Sequence, residues 1–246
     1  MKLRLDKLLL ERGLTSSRQR AQALILAGKV LVDGQKLEKA GTAVESDANI
    51  RLLGEDLKYV SRGGLKLEKA LQHWEIDVKG KVCLDVGAST GGFTDCLLQH
   101  GASRVTAVDT GHGQIHFRLR QDPRVRLLEK TNARYLTNEQ LGEFVDFTAI
   151  DVSFISATLI LPAVISAAFS TDRRGQQIVV LVKPQFEAGR EHVGKGGIVR
   201  DEAEQNAAVE KVRQALVALG CNGTEVLESP ILGAEGNREF LLLGVF

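Results

Sequence analysis

Two lysines and two carboxylates stand beside predicted β-strands, and together they could carry out proton transfer. In chain order they are Lys66, Asp151, Lys183 and Glu239. An uncharged lysine amine can accept a proton from a hydroxyl, and neighbouring carboxylates can orient that amine. Asp151 and Lys183 each directly follow a predicted strand. Lys66 lies on a predicted helix whose apolar residues occupy other faces, which by itself predicts a solvated lysine.

A glycine-rich turn is the second feature suited to chemistry. The sequence from Val82 to Phe93 predicts a buried strand, a turn, and a helix that begins near Gly92. Glycines in the turn permit positive φ and let a ligand approach the backbone. Ser89 and Thr90 are predicted to cap the helix.

The spacing of these glycines separates two classes of nucleotide-binding protein. It differs from the G-x-G-x-x-G fingerprint of dinucleotide-binding enzymes. Asp85-x-Gly87 followed by small residues is similar to the first motif of S-adenosylmethionine (SAM) methyltransferases. An ordinary tight turn between a strand and a helix would use the same residues, so this motif alone leaves both interpretations open.

Alternating strands and helices would position these residues. Strands are predicted at residues 82–84, 104–108, 125–128, 144–150, 177–182, 223–227 and 240–246. The carboxyl ends of parallel strands meet at one edge, where ligands bind in such folds, so Asp151 and Lys183 are expected to lie there. Asp109 ends the second strand, the position at which a doubly wound fold binds a ribose diol.

Composition and charge exclude several classes of protein. The chain has 246 residues, net charge +1 and three cysteines with no C-x-x-C spacing, which predicts reduced thiols and neither a disulfide framework nor a metal site. The first fifteen residues alternate charged and apolar positions, which argues against a secretory signal. Residues 152–171 lack charges, but Pro162 and several Ser and Thr residues favour a buried helix over a membrane span.

The positive charge is concentrated at the start of the chain. Residues 1–30 hold seven Lys or Arg residues and two acidic residues, which suggests a polyanionic partner. An apolar stripe predicts a helix over residues 3–11, and Ser16 and Ser17 are predicted to cap a second helix that stops at Gly28. Short strands at 30–32 and 49–53, with a turn at Asp33–Gly34, complete a small unit.

This N-terminal region resembles the α-L RNA-binding domain named after a small-subunit ribosomal protein. The resemblance rests on Arg4-Leu5-Asp6-Lys7-Leu8, Ser17-Arg18-x-x-Ala21 and Gly28-Lys29-Val30-x-Val32-Asp33-Gly34. It implies RNA binding through basic side chains on phosphates; a solvated basic face on a structural domain is the alternative. The residues expected to contact RNA are Arg4, Lys7, Arg18, Arg20, Lys29 and Arg62.

The whole chain resembles the TlyA family of rRNA methyltransferases, which is related to the FtsJ-type RNA ribose 2′-O-methyltransferases. Besides the Lys-Asp-Lys-Glu order, the resemblance rests on motifs at residues 61–67, 87–93, 151–156, 182–187 and 236–240. It implies a domain organisation of an α-L RNA-binding domain at 1–56, a linker at 57–63 and an FtsJ-like methyltransferase domain at 64–246. The implied fold is α/β: a Rossmann-like SAM-dependent methyltransferase sheet with a small N-terminal α+β RNA-binding domain.

The resemblance also implies a cofactor, a substrate and a cytoplasmic location. SAM would be bound by Asp85, Gly87, Ala88, Ser89, Gly91, Gly92, Phe93, Asp109, Asn132 and Asp151. The implied partner is ribosomal RNA in ribosomal subunits, with no membrane, metal or protein partner. Leu57-Lys58-Tyr59 replaces an Arg-x-Trp linker element of some members, so linker-dependent behaviour does not carry over.

The expected reaction is methylation of a ribose 2′-hydroxyl, with Lys183 as base. Asp151 and Lys66 would orient the hydroxyl and steer the base, while Glu239 would fix a lysine. Lys66 and a cationic sulfonium favour an uncharged Lys183 and the two carboxylates oppose it, so the sequence leaves that balance open.

Two alternatives remain: a membrane-active protein, because some members bear the name hemolysin, and a non-catalytic ribosome-assembly factor. The target nucleotide is also open.

Overall fold

The chain folds into two compact units, Met1–Asp56 and Leu57–Phe246. The structure is a computed structural model that describes residues 2–15, 17–53, 58–170, 172, 175–233 and 236–246. Ser16, expected near a helix cap, and the linker position Leu57 lie outside the described residues.

The first unit is a small α+β domain. Its elements are β1 Lys2–Arg4, α1 Leu5–Glu11, α2 Arg18–Leu26, β2 Val30–Val32, β3 Gln35–Lys36, β4 Ala43–Glu45 and β5 Ile50–Leu52. Helix α2 begins at the predicted cap, because the side chain of Ser17 accepts a hydrogen bond from the backbone N–H of Arg20. Asp33 and Gly34 both have positive φ and connect β2 to β3, which confirms the predicted turn.

The prediction for the start of this unit was wrong by two residues. Helix α1 begins at Leu5, whereas Lys2–Arg4 form a strand that pairs antiparallel with Ala43–Glu45. Leu3 lies opposite Val44 in this ladder. The Lys-Leu-Arg alternation suits a short strand as well as it suits a helix, and pairing with a distant segment decides between them.

The second unit is a layered α/β domain. Its elements are α3 Gly63–His73, β6 Val82–Val86, α4 Gly92–Gln99, β7 Arg104–Val108, α5 Phe117–Arg120, β8 Val125–Leu128, α6 Asn138–Leu141, β9 Phe147–Ile150, α7 Leu161–Ala168, β10 Gln177–Val182, α8 Pro184–Glu187, α9 Glu202–Ala218, β11 Gly223–Glu228 and β12 Phe240–Val245.

The sheet has the doubly wound order expected for a Rossmann-like methyltransferase. Among the described residues its order is β11-β12-β10-β9-β6-β7-β8. Strands β6 to β10 are parallel, whereas β12 runs antiparallel between β10 and β11. Apolar cores cover both faces of the sheet. The fold-class prediction is confirmed, and β11 and β12 form a hairpin that inserts β12 into the sheet.

Some elements are shorter than predicted. Strand β9 begins at Phe147 rather than at 144, and the buried helix predicted within residues 152–171 is a short 3₁₀ turn at Ala157–Leu159 followed by α7. Helix α7 is largely buried within the second unit. Within the ranges that the structure describes, no helix is both long enough and apolar enough to cross a membrane.

Candidate active site

Two cavities adjoin each other at the carboxyl ends of the parallel strands. The strand-end cavity, of about 300 Å³, lies between the ends of β6 and β7 and the segments 131–133 and 151–155. The lysine cavity, of about 310 Å³, lies between residues 61–63, the glycine turn, Lys66 and Lys183. Gly87, Ser89, Asp151 and Ser153 line both, so two ligands bound there would meet at this shared wall.

Lys66 and Glu239 form one of the two lysine–carboxylate pairs. Lys66 Nζ donates to Glu239 Oε2, and both side chains are buried. Helix α3 brings Lys66 to the cavity, while Glu239 directly precedes β12. Gly233 leaves room for this carboxylate, because a Cβ there would lie 2.1 Å from Glu239 Oε1. The helix pattern by itself indicated a solvated Lys66, and a role for Lys66 in the site was expected only from the family resemblance, because local periodicity gives no signal for a partner far away in sequence.

Lys183 and Asp151 form the second pair. Lys183 Nζ lies 2.6 Å from Asp151 Oδ1 and donates to Ser153 Oγ at 2.8 Å. Each residue follows its parallel strand, β10 or β9, so the sheet brings them together as predicted. The site therefore contains two lysines that are each held by a different carboxylate.

Gly87 allows the glycine turn to pass directly over Asp151. Its φ is +88°, and a Cβ on it would lie 2.3 Å from the carbonyl oxygen of Asp151. Any other residue would push the ends of β6 and β9 apart. This glycine therefore sets the separation of the walls of both cavities.

Asp109 fixes the turn from the neighbouring strand. Its Oδ2 accepts from the backbone N–H of Ser89 at 2.8 Å, and its Oδ1 accepts from that of Gly111 at 2.6 Å. The carboxylate lines the strand-end cavity. Each oxygen keeps a further lone pair, so Asp109 can order the turn and still accept hydrogen bonds from a ligand.

Asp85 lies beneath the turn and does not line either cavity. It is fully buried, and its Oδ2 accepts from both the backbone N–H and the hydroxyl of Thr94. Burial raises the pKa of Asp85 to about 7, with hydrogen bonds from Thr94 opposing the rise and the charges of Asp151 and Asp109 adding to it. Ser89 and Thr90 were predicted to cap this helix. The observed cap residue is Gly91, which makes no side-chain hydrogen bond. The carboxylate of Asp85 instead accepts the hydrogen bond at the first turn of the helix.

The other residues predicted to bind SAM divide between the cavities and the core. Ala88, Gly92 and Phe93 line the lysine cavity. Gly91 faces inward, because a Cβ there would lie 2.2 Å from Leu119 Cδ1. Asn132 lines the strand-end cavity and also caps a 3₁₀ turn by accepting from the backbone N–H of Arg134.

Four residues at this edge belong to the motifs at 151–156 and 182–187 but were not predicted to have a role in the site. They are Ser153, Phe154, Phe186 and Glu187. Phe154 is 92% exposed at a positive φ of 65°, lines the strand-end cavity, and lies 5.3 Å from Phe186 between ring centroids. An exposed aromatic in this strained conformation is a feature of functional sites. The sequence signal for them was their position shortly after β9 and β10, at the edge of the sheet where ligands bind.

The basic residues expected to contact RNA have different environments. Arg62 is exposed and lines the lysine cavity. Lys7 and Lys29 are exposed, and Arg20 is half-buried. Arg4 and Arg18 both bind the buried carboxylate of Asp6, at 3.0 and 2.9 Å, although roughly half of each side chain remains exposed. These contacts, led by Arg4, hold the pKa of Asp6 well below its usual range.

Comparisons with known proteins match both units. The family described as FtsJ-like methyltransferase matches residues 59–246, and the S4 domain matches residues 3–50. A Mycobacterium tuberculosis protein named 16S/23S rRNA (cytidine-2′-O)-methyltransferase TlyA is 46% identical over 97% of this chain and 88% of its own length. The Brachyspira hyodysenteriae protein Hemolysin A is 42% identical over 97% and 98%.

A solved structure agrees with these matches. A Streptococcus thermophilus protein has a TM-score of 0.73 and 44% identity, covering 99% of this chain and 88% of that one. The identity extends across both units, as it does for the M. tuberculosis relative. The chain therefore belongs to the TlyA group of the FtsJ-like methyltransferase family and carries an S4 domain ahead of its methyltransferase domain.

Proposed function

We propose that this protein transfers a methyl group from SAM to a ribose 2′-hydroxyl of ribosomal RNA, at a cytidine. The observation that carries the proposal is the lysine cavity, in which Lys183–Asp151 and Lys66–Glu239 stand beside a wall shared with the strand-end cavity. The name of the M. tuberculosis relative supports the substrate and the nucleotide. Cytoplasmic ribosomal subunits are the proposed source of this RNA.

The strand-end cavity fits the cofactor. Its volume of about 300 Å³ is at the lower end of ordinary ligand sites. Asp109 would accept hydrogen bonds from the ribose diol, the backbone of residues 87–92 would adjoin the methionine end, and Asn132 would lie near the adenine. When bound, SAM supplies a methyl group on a sulfonium sulfur, which keeps the bonding electron pair as the methyl leaves.

The lysine cavity would hold the ribose. Lys183 would take the proton of the 2′-hydroxyl at Nζ while the hydroxyl oxygen forms its new bond to carbon. Asp151 would hold Lys183 and steer the hydroxyl, and Lys66 would orient the same hydroxyl from the opposite wall. Glu239 would fix Lys66. Base catalysis of this kind contributes roughly 10²- to 10⁴-fold, and correct alignment of the two reactants contributes further.

The RNA around the target would be bound by two surfaces. Exposed Phe154, which lines the strand-end cavity, and half-buried Phe186 beside it form an aromatic surface that suits stacking of an unpaired base. The S4 domain would bind phosphates through its basic residues.

We propose that the first domain extends over residues 1–56, a linker over 57–63 and the methyltransferase domain over 64–246.

The test uses purified protein, methyl-labelled SAM and separated ribosomal subunits from a strain that lacks the gene. After incubation, nucleoside mass spectrometry should find labelled 2′-O-methylcytidine in one or both subunits. Heat-inactivated protein is the control for background transfer. Label in a base, or no transfer to either subunit or to naked rRNA despite measurable SAM binding, would contradict the proposal. Absence of SAM binding would favour a non-catalytic RNA-binding role.

A further inference from the structure

Ser153 places its hydroxyl against the amine of Lys183, at the wall that the two cavities share. Lys183 Nζ donates to Ser153 Oγ at 2.8 Å and lies 2.6 Å from Asp151 Oδ1. The Lys183 side chain is only about 10% exposed, so little of its amine faces bulk water. Ser153 and Lys183 both line the lysine cavity. The amine is therefore held from two directions by protein and open to the cavity in a third.

The contacts of the Lys183 amine are compatible with its acting as a proton acceptor. A neutral lysine amine carries two N–H bonds and one lone pair, whereas the ammonium form carries three N–H bonds. Ser153 accepts a hydrogen bond from one N–H, whereas Asp151 Oδ1 lies 2.6 Å from the amine as its ion-pair partner. Because Lys183 also lines the lysine cavity, a substrate hydroxyl in that cavity would meet an N–H of the charged amine or the lone pair of the neutral one.

We propose that Ser153 is a positioning residue that, together with Asp151, directs the lone pair of Lys183 at the substrate hydroxyl. This inference rests on the proposed function. Without the serine, the neutral amine can rotate about its terminal carbon–nitrogen bond, and its lone pair is directed at the hydroxyl for only part of the time. The proton leaves the 2′-oxygen for Lys183 Nζ, the oxygen bonds to the methyl carbon, and the carbon–sulfur electron pair stays on sulfur.

A buried carboxylate holds the Ser153 turn in place from behind. Glu187 Oε1 accepts from the backbone N–H of Ala157 at 2.6 Å, and Oε2 accepts from Ser156 Oγ at 2.5 Å. Lys211 Nζ lies 3.5 Å from the same carboxylate. Glu187 lies on the helix that follows Lys183, so it ties the chain after β9 to the chain after β10. The segment that follows Ser153 is therefore fixed to the segment that follows Lys183.

The experiment compares Ser153→Ala, Ser153→Thr and the wild type. Measured quantities are kcat and KM for ribosomal subunits and the Kd for SAM. Ser153→Ala should lower kcat roughly tenfold to hundredfold, a part of the range for base catalysis, with KM and Kd unchanged. Ser153→Thr keeps the hydroxyl, and because Ser153 lacks a positive φ the backbone tolerates threonine, so most of kcat should return.

A matched control variant tests whether removal of a hydroxyl group elsewhere in the protein has the same effect on kcat. Ser103→Ala removes a hydroxyl that donates to the carbonyl of Lys81 at 3.0 Å, at the opposite ends of the strands, and should leave kcat unchanged. Wild-type kcat in Ser153→Ala would overturn the inference, as would a raised KM or Kd with kcat unchanged.

Two further measurements keep the test decisive. Thermal unfolding should give the same Tm for Ser153→Ala and wild type. If the alanine variant unfolds, Ser153→Cys replaces it. Because sulfur is a weak hydrogen-bond acceptor, the cysteine variant should have a kcat between those of the alanine variant and the wild type. A cysteine variant with wild-type kcat would overturn the inference. Absence of methyl transfer by the wild type would overturn the proposed function itself.

Discussion

The two lysines of the site have different electrostatic surroundings. The carboxylate of Glu239, the partner of Lys66, is only 2% exposed, whereas that of Asp151, the partner of Lys183, is 21% exposed. Charges attract more strongly where water is excluded. Lys66 and Glu239 therefore form the more enclosed ion pair, which suits Lys66 to a fixed orienting role, whereas the Asp151 carboxylate beside Lys183 lines both cavities.

Removal of the Lys183 amine should separate turnover from cofactor binding. Lys183→Ala is expected to lower kcat by about 10²- to 10⁴-fold, because the base is lost, with little change in the Kd for SAM in calorimetry. Lys69→Ala removes an exposed lysine from the helix that carries Lys66 and is the matched control. Turnover like that of the wild type in Lys183→Ala would refute its assignment as the base.

Asp85 should make the second unit less stable as pH rises. Its pKa in the folded protein, about 7, lies above the ordinary 3.8. The contribution of Asp85 to the free energy of unfolding is therefore complete below pH 4 and is lost as pH rises from 4 to 7. Asp85→Asn removes this titration. Between pH 5 and 7.5, the free energy of unfolding of the wild type relative to the variant should fall by about 2–3 kcal/mol in urea unfolding. A pH-independent difference would show that Asp85 ionises normally.

At the scale of elements, the close contact between Gly87 and Asp151 holds the ends of β6 and β9 together. Gly87→Ala should destabilise the protein by at least about 2 kcal/mol, from backbone strain and overlap with the Asp151 carbonyl, and should weaken SAM binding. Gly80→Ala is the control, because Gly80 has a similar positive φ but open space around its Cβ position. Equal losses of Tm in the two variants would mean that overlap with the Asp151 carbonyl contributes nothing to the destabilisation of Gly87→Ala.

The elements predicted correctly are those whose signal is local. Strand β10 was predicted at its observed bounds because an apolar run ends at Lys183-Pro184. Features that depend on distant partners have no local signal: the pairing of β1 with residues 43–45 was missed, and a lysine partner for Glu239 was expected only from the family resemblance. The cap from Asp85 was missed because a strand carboxylate reaches the helix only after the turn has folded. Local periodicity carries no information about such contacts.

At the scale of the whole molecule, positive charge and chemistry belong to different units. The excess of basic residues lies in residues 1–30, which cover the first part of the S4 domain, whereas the paired lysines and carboxylates lie in the methyltransferase domain. Within the S4 domain, Asp6 already engages Arg4 and Arg18, so Lys7 and Lys29 are better candidates for simple phosphate contacts.

The salt dependence of RNA binding should identify these contacts. Lys7→Ala and Lys29→Ala should each reduce the slope of log K against log salt concentration by about 1, with kcat at saturating RNA unchanged. Lys79→Ala, which removes an exposed lysine from the other unit, should leave the slope unchanged. Slopes that do not change in the S4 variants would exclude these lysines from phosphate contact.

Lys66 and Glu239 are separated by 173 positions in sequence, and this separation has a consequence for biosynthesis. Strand β12 lies between β10 and β11 although it follows both in the sequence, so one edge of β10 lacks its partner until β12 has been synthesised. The S4 domain, which is local in sequence, can fold much earlier. A chain still being synthesised thus acquires its RNA-binding unit before it can assemble the site for chemistry, and a truncated product that ends before β12 would occupy RNA without modifying it.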